Sequence, residues 1–77
     1  MVHVRYFAAA EEFAGRAEEV RVDTDLAALR AGLTREYPAL GRILPNCALL
    51  VDGVRRSDSA SLFSDTVVDV LPPFAGG

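Results

Sequence analysis

The chain has 77 residues, 51% hydrophobic and 25% charged, the size and composition of one small domain with a single core. Its net charge is −3 and its eight cations are all arginine, clustered nowhere beyond Arg55-Arg56, which argues against the basic stripe by which nucleic-acid binders displace counterions. No apolar run approaches the roughly 18–20 residues of a membrane span. The N-terminus lacks a charged-then-apolar signal pattern and the single cysteine makes no internal disulfide, so a cytoplasmic location is expected.

Val2-His3-Val4-Arg5-Tyr6-Phe7 alternates with period two, predicting a first strand with Val2, Val4 and Tyr6 toward the core and His3, Arg5 and Phe7 away from it. Residues 8–14 are rich in alanine and glutamate around Phe13, and Gly15 supplies a stop, so a short helical turn follows. Alternation over residues 19–23 predicts a second strand, antiparallel to the first. Thr24 or Asp25 provides the N-cap oxygen of the main helix, whose Leu26, Leu29, Leu33 and Tyr37 fall on one stripe. Pro38 ends that helix, because the residue before a proline avoids helical geometry. Gly32 within it gives up about 1 kcal/mol of helix propensity and permits close packing on the sheet.

Residues 40–45 read as a connector anchored by Ile43 and Leu44. A third strand covers 47–51, Asp52-Gly53 is a turn, and Val54-Arg55-Arg56 suits a short fourth strand. Residues 57–61 form a polar loop with Leu62 and Phe63 tucked beneath. The β-branched run 66–71 is the last strand. The order ββαβ(β)β predicts an α+β chain: a β-grasp, or ubiquitin-like, roll with a mixed four- to five-stranded sheet and one main helix as crossover. Residues 1–71 are its domain and residues 72–77 an extended C-terminal Gly-Gly tail.

That tail, Pro72-Pro73-Phe74-Ala75-Gly76-Gly77, is the first functional candidate. Two prolines end sheet pairing, and two glycines leave a terminal carboxylate on a thread thin enough for a narrow channel in another protein. Extended, the six residues reach roughly 20 Å. A second candidate is the sheet face away from the helix, where Phe7, Leu50, Leu71 and Val67 share a parity and make an apolar patch suited to a protein partner. Among single residues, Cys47 reads as a small core hydrophobe. His3 has no second ligand at metal spacing, so no metal is expected. Asp65 and Asp69 read as solvated, and Arg55-Arg56 as a solvated turn. With no lysine, the chain offers no side-chain amine on which to build chains of itself.

Val4-Arg5-Tyr6-Phe7-Ala8 with Gly15, the Leu29-Arg30-x-x-Leu33 helix and the closing Leu71-Pro72-Pro73-x-x-Gly76-Gly77 resemble the small, MoaD-type subunit of molybdopterin synthase, in the MoaD/ThiS sulfur-carrier family. The likeness runs from residue 2 to residue 77. It departs at Val51-Asp52-Gly53, where the family often has Val-Asn-Gly, and at Asp65-Thr66-Val67-Val68, where it often has Gly-Asp-Glu-Val.

The resemblance implies a sulfur carrier for molybdenum cofactor biosynthesis, a non-catalytic subunit of a complex rather than an enzyme alone. An E1-like, MoeB-type enzyme adenylates the C-terminal carboxylate with ATP, and a sulfur donor converts it to a thiocarboxylate. A MoaE-type large subunit, in a heterotetramer of two small and two large chains, then uses that sulfur for the molybdopterin dithiolene. Gly77 is the carrying residue by position and Gly76 its slender neighbour; no cofactor is bound. The partner-contacting residues are Phe7, Leu50 and Leu71 with Pro72, Pro73, Phe74 and Ala75. A carrier for thiazole or cysteine synthesis uses the same chemistry, as does a ubiquitin-like modifier that forms amide bonds with target lysines; an inert ubiquitin-like domain would have no use for a bare Gly-Gly end.

Overall fold

The computed structural model describes residues 1–73; Phe74, Ala75, Gly76 and Gly77 lie outside the described residues. Five strands form one mixed sheet: β1 (Val2–Tyr6), β2 (Glu18–Arg21), β3 (Ala48–Val51), β4 (Val54–Arg55) and β5 (Val67–Leu71), in the spatial order β2-β1-β5-β3-β4. The central pair β1 and β5 is parallel, with Val4 beside Val68 and Tyr6 beside Val70; every other pairing is antiparallel. Helices α1 (Ala9–Ala14), α2 (Leu26–Glu36) and α3 (Pro38–Ile43), with a 3₁₀ turn at Leu44–Asn46, complete the chain. This is the β-grasp roll, and none of its helices is long and apolar enough to cross a membrane among the described residues.

Period-two burial places the core on one face of the sheet. Val2, Val4 and Tyr6 of β1, Leu49 and Val51 of β3, and Val68 and Val70 of β5 are buried against Leu26, Leu29 and Leu33 of α2 and Leu40 of α3. Asp25 is the N-cap of α2, its Oδ1 accepting the Ala28 N–H at 2.7 Å. Gly15 closes α1 in the left-handed region at φ 75°, where glycine carries no Cβ penalty. Asp52 and Gly53 both take positive φ, which fits the right-handed twist of the β3–β4 hairpin.

Several expectations change. Residues 40–45 are not a plain connector: Pro38 stops α2 and also starts α3, since its fixed φ suits the first helical position and its missing N–H would have no partner there. The break is confined to Tyr37, at φ −128° and ψ 81°. Phe63 is 71% exposed instead of tucked in, while Leu62 beside it is buried. Cys47 lies at the end of the 3₁₀ turn, one residue ahead of β3. Pro72, assigned from the sequence to the tail, is buried, and Pro73 is exposed.

Candidate functional site

Because β1 and β5 run parallel, their C-terminal ends emerge side by side. The Phe7 N–H donates to the Val70 carbonyl at 3.2 Å, extending the Tyr6–Val70 pairing by one step. Phe7 therefore neighbours Leu71, and Leu71 lies opposite Ala48 of β3. These three make an apolar row across the open face, at the end of the sheet from which the chain passes to Pro72 and Pro73. Leu50, also on this face, sits one row away, flanked by Asp69 and Arg55. Val67 shares the parity but lies at the far end of β5, next to His3. The structure thus brings Phe7 and Leu71 together, with Leu50 adjoining, and separates Val67 from them.

Phe7 is held by the turn that follows it. Ala8 has φ 50° and ψ −127°, and the Ala10 N–H donates to the Phe7 carbonyl at 3.0 Å. That geometry resembles the first corner of a type II′ turn, a place normally reserved for glycine. An alanine there carries strain on the order of 1–3 kcal/mol, sustained by the packing of Ala10 and Ala14 beneath. The Arg5 guanidinium lies 5.7 Å from the centre of the Phe7 ring, a cation–π contact that covers part of it.

Arg5 is also the centre of a polar row behind the apolar one. Its Nε and Nη2 donate to the two carboxylate oxygens of Asp69 at 2.6 and 2.9 Å, a bidentate pair between neighbouring residues of the parallel strands. The Asp69 hydrogen bond and charge raise the Arg5 pKa further, so the guanidinium stays ionised. Asp69 is therefore not the solvated acid expected from the sequence. Its pairing was hidden because parity places Arg5 and Asp69 on one face, but only the β1–β5 register makes them neighbours.

On the helix side of β2 a second network locks the strand to α2. Glu19 accepts hydrogen bonds from the hydroxyls of Tyr6 at 2.9 Å and Tyr37 at 2.5 Å, and from Arg21 at 3.2 Å. Arg21 reaches on to Asp23 and Glu36, each at 2.6 Å. Burial, then the Glu19 carboxylate, pushes both tyrosine pKa values up. The Arg21 hydrogen bond holds the Glu36 carboxyl below its usual range.

The remaining sequence candidates lie apart from this face or offer no reactive constellation. Cys47 is buried, its thiol within 3.2 Å of the Ile43 carbonyl, and burial raises its pKa, the environment of an inert cysteine. His3 is exposed, and among the described residues no group of three or more His, Cys, Asp or Glu is placed to hold a metal ion. Asp65 sits in a turn at φ 69°, and Arg55 and Arg56 are exposed. Gly76 and Gly77, with Phe74 and Ala75, fall outside the described residues. What the described residues present is an apolar row, Phe7, Leu71 and Ala48, on the open face where the chain passes to Pro72.

A model described as the ThiS family matches residues 4–77 of the chain. Among solved structures, the chain is similar to one from the protein–protein complex of subunits 1 and 2 of molybdopterin-converting factor from Helicobacter pylori 26695. They are 28% identical over 99% of this chain and 97% of that one, with a TM-score of 0.76. It is likewise similar to the Haloferax volcanii HVO 2177 protein, at 27% identity, 99% and 85% coverage and a TM-score of 0.76. The small archaeal modifier protein 1 from Methanosarcina acetivorans shares the fold, with a TM-score of 0.85 at 23% identity over 99% of this chain and 95% of that one. No curated protein sequence matches the chain.

Proposed function

From the premise that the chain belongs to the ThiS family of MoaD/ThiS-type sulfur carriers, we propose that it carries sulfur for the molybdopterin dithiolene as a thiocarboxylate on Gly77. The observation that carries the reading is the reach of the family match, which continues through Gly76 and Gly77. The molybdopterin branch draws its support from the 28% identity to a chain of the Helicobacter pylori complex of subunits 1 and 2. In this reading a large subunit covers the open face, with Phe7, Leu71 and Leu50 as its contacts and residues 72–77 entering its active site.

The chemistry asks little of the carrier. A terminal carboxylate is ionised at neutral pH, with an ordinary pKa of about 3.3–3.7, and offers no leaving group. An E1-like enzyme joins it to AMP with release of pyrophosphate from ATP. Hydrosulfide then attacks the acyl carbon; a C–S bond forms, the acyl C–O bond breaks, AMP departs with the electron pair, and the proton of hydrosulfide goes to solvent. The product is a C(O)S⁻ group, a soft nucleophile held in place by a folded domain. Docking turns its attack on the pterin precursor into an effectively intramolecular step. The carrier's contribution is a bare terminus and a surface that aims it.

Intact mass of the protein isolated from its host tests this directly. The expected result is a terminal Gly77 species carrying one sulfur in place of one oxygen, and loss of that species when Gly77 is deleted although the domain still folds. Deletion with undiminished molybdopterin formation would refute the reading. Recovery of the chain in amide linkage to lysines of other proteins, with no sulfur-bearing form, would assign it to protein modification instead.

A further inference from the structure

The open face holds a second feature, at the edge away from the Phe7–Leu71 row. The antiparallel β1–β2 register sets Val20 opposite His3, and the parallel β1–β5 register sets Val67 on the other side of His3. The neighbouring row runs Glu18, Arg5, Asp69. Between these rows lies a depression of about 390 Å³ lined by His3, Arg5, Glu18, Glu19, Val20 and Val67. Val20 is 51% exposed, and Glu18 on the same face of the strand is exposed as well.

The charges around the depression are unevenly committed. Arg5 is engaged by both oxygens of Asp69, and the Glu19 carboxylate is engaged by Tyr6, Tyr37 and Arg21. Glu18 forms no ion pair within 4.0 Å among the described residues. The depression therefore combines apolar walls, Val20 and Val67, with one uncommitted carboxylate on its rim. That combination matches a side chain with an aliphatic stem and a cationic end, since such side chains lay their methylenes on apolar surface and keep the charge at a polar edge.

We propose that this depression is a subsite for a lysine or arginine side chain of the large subunit that docks on the open face, its stem lying along Val20 and Val67 and its charge meeting Glu18. The inference rests on the docking reading above and adds a specific partner chemistry to it: the covering protein is basic opposite β2 and apolar opposite Phe7 and Leu71. The Arg5–Asp69 pair divides the two regions. It is already satisfied within this chain, so it demands no charge from the partner.

The test measures affinity for the host's large-subunit homologue by calorimetry, using the full chain and four variants. Phe7→Asp reports on docking as such. Glu18→Gln, Glu18→Lys and Val20→Ala report on the subsite; all three changes are on an exposed edge strand, and circular dichroism checks that each variant folds. Expected are a loss of about fivefold for Glu18→Gln at low salt, a larger loss for Glu18→Lys, and a difference between them and the unaltered chain that shrinks as salt rises. Unchanged affinity in both Glu18 variants, with Phe7→Asp still abolishing binding, would overturn the subsite and leave the docking reading intact. Absence of binding by the unaltered chain would overturn both.

Discussion

Replacing Gly32 with alanine sets two effects of opposite sign against each other. Alanine in place of glycine inside an exposed helix is favourable by about 1 kcal/mol. Gly32, however, is buried on the face of α2 that meets β2, and a Cβ built there would lie 2.6 Å from Arg21 Nη2 and 3.5 Å from an Asp23 carboxylate oxygen. The obstructing atom is the end of a long side chain, which ordinarily would swing away. Here it is tied to Glu19, Asp23 and Glu36 through three different nitrogens, and the Arg21 side chain is only 10% exposed. Added volume in a filled site costs about 1–3 kcal/mol. The crowding outweighs the propensity gain, and Gly32→Ala is expected to destabilise by about 1 kcal/mol net, lowering Tm by about 4–8 °C in a domain of this size. Thermal unfolding followed by circular dichroism reads it, in the natural background and in Arg21→Ala. Without the guanidinium the methyl has room, so there Gly32→Ala should raise Tm; the difference between the two backgrounds is the coupling. Equal stabilisation by alanine in both would show that Arg21 does not fill the space beside Gly32.

Three other perturbations follow from the geometry. Ala8→Gly relieves a φ of 50° and should stabilise by about 1 kcal/mol after glycine's extra chain entropy is subtracted, measured by urea unfolding; a loss of stability would mean the turn is unstrained. Leu71→Asp should leave the fold intact, because Leu71 is only half-buried on the open face, and should weaken large-subunit binding at least tenfold; unchanged affinity in both Leu71→Asp and Phe7→Asp would place docking elsewhere. Glu36 has its carboxyl pKa lowered by Arg21, so its stabilising contribution is present above the ordinary carboxylate pKa, near 4.5, and is lost as pH falls through the depressed folded value. Glu36→Gln should therefore flatten the acid limb of a Tm-against-pH profile below pH 4.5 while shifting it little in shape near neutrality; an unaltered acid limb would mean the Arg21 contact is not maintained in solution.

Local pattern carried most of the architecture. Period-two alternation identified β1, β2, β3 and β5 and sorted the residues of β1, β3 and β5 to the correct faces, and the leucine spacing of α2 with its Asp25 cap placed the main helix; in β2 it is Glu19 and Arg21 that are half-buried, while Val20 is exposed. The failures share a cause. Pro38 has one local meaning when read as a terminator and another when a helix resumes behind it, and α3 is held by contact with α2. There Gly41 approaches Thr34 so closely that a Cβ would sit 2.7 Å from its methyl. Phe63 follows a buried leucine, and its hydrophobicity alone pointed inward; the turn at Ser64 and Asp65 instead leaves it facing solvent.

For the site, the residue types were legible and their company was not. The sequence by itself determined that Phe7, Leu50, Leu71 and Val67 occupy the face opposite the core, because side-chain direction in a strand depends only on parity. Which of them touch depends on strand order and register, which bring together residues as far apart in sequence as Phe7 and Leu71 and leave no local trace. Only the tertiary structure, by pairing β1 with β5 in parallel, set Phe7 beside Leu71, closed Arg5 onto Asp69, and left Glu18 and Val20 uncommitted at the sheet's edge.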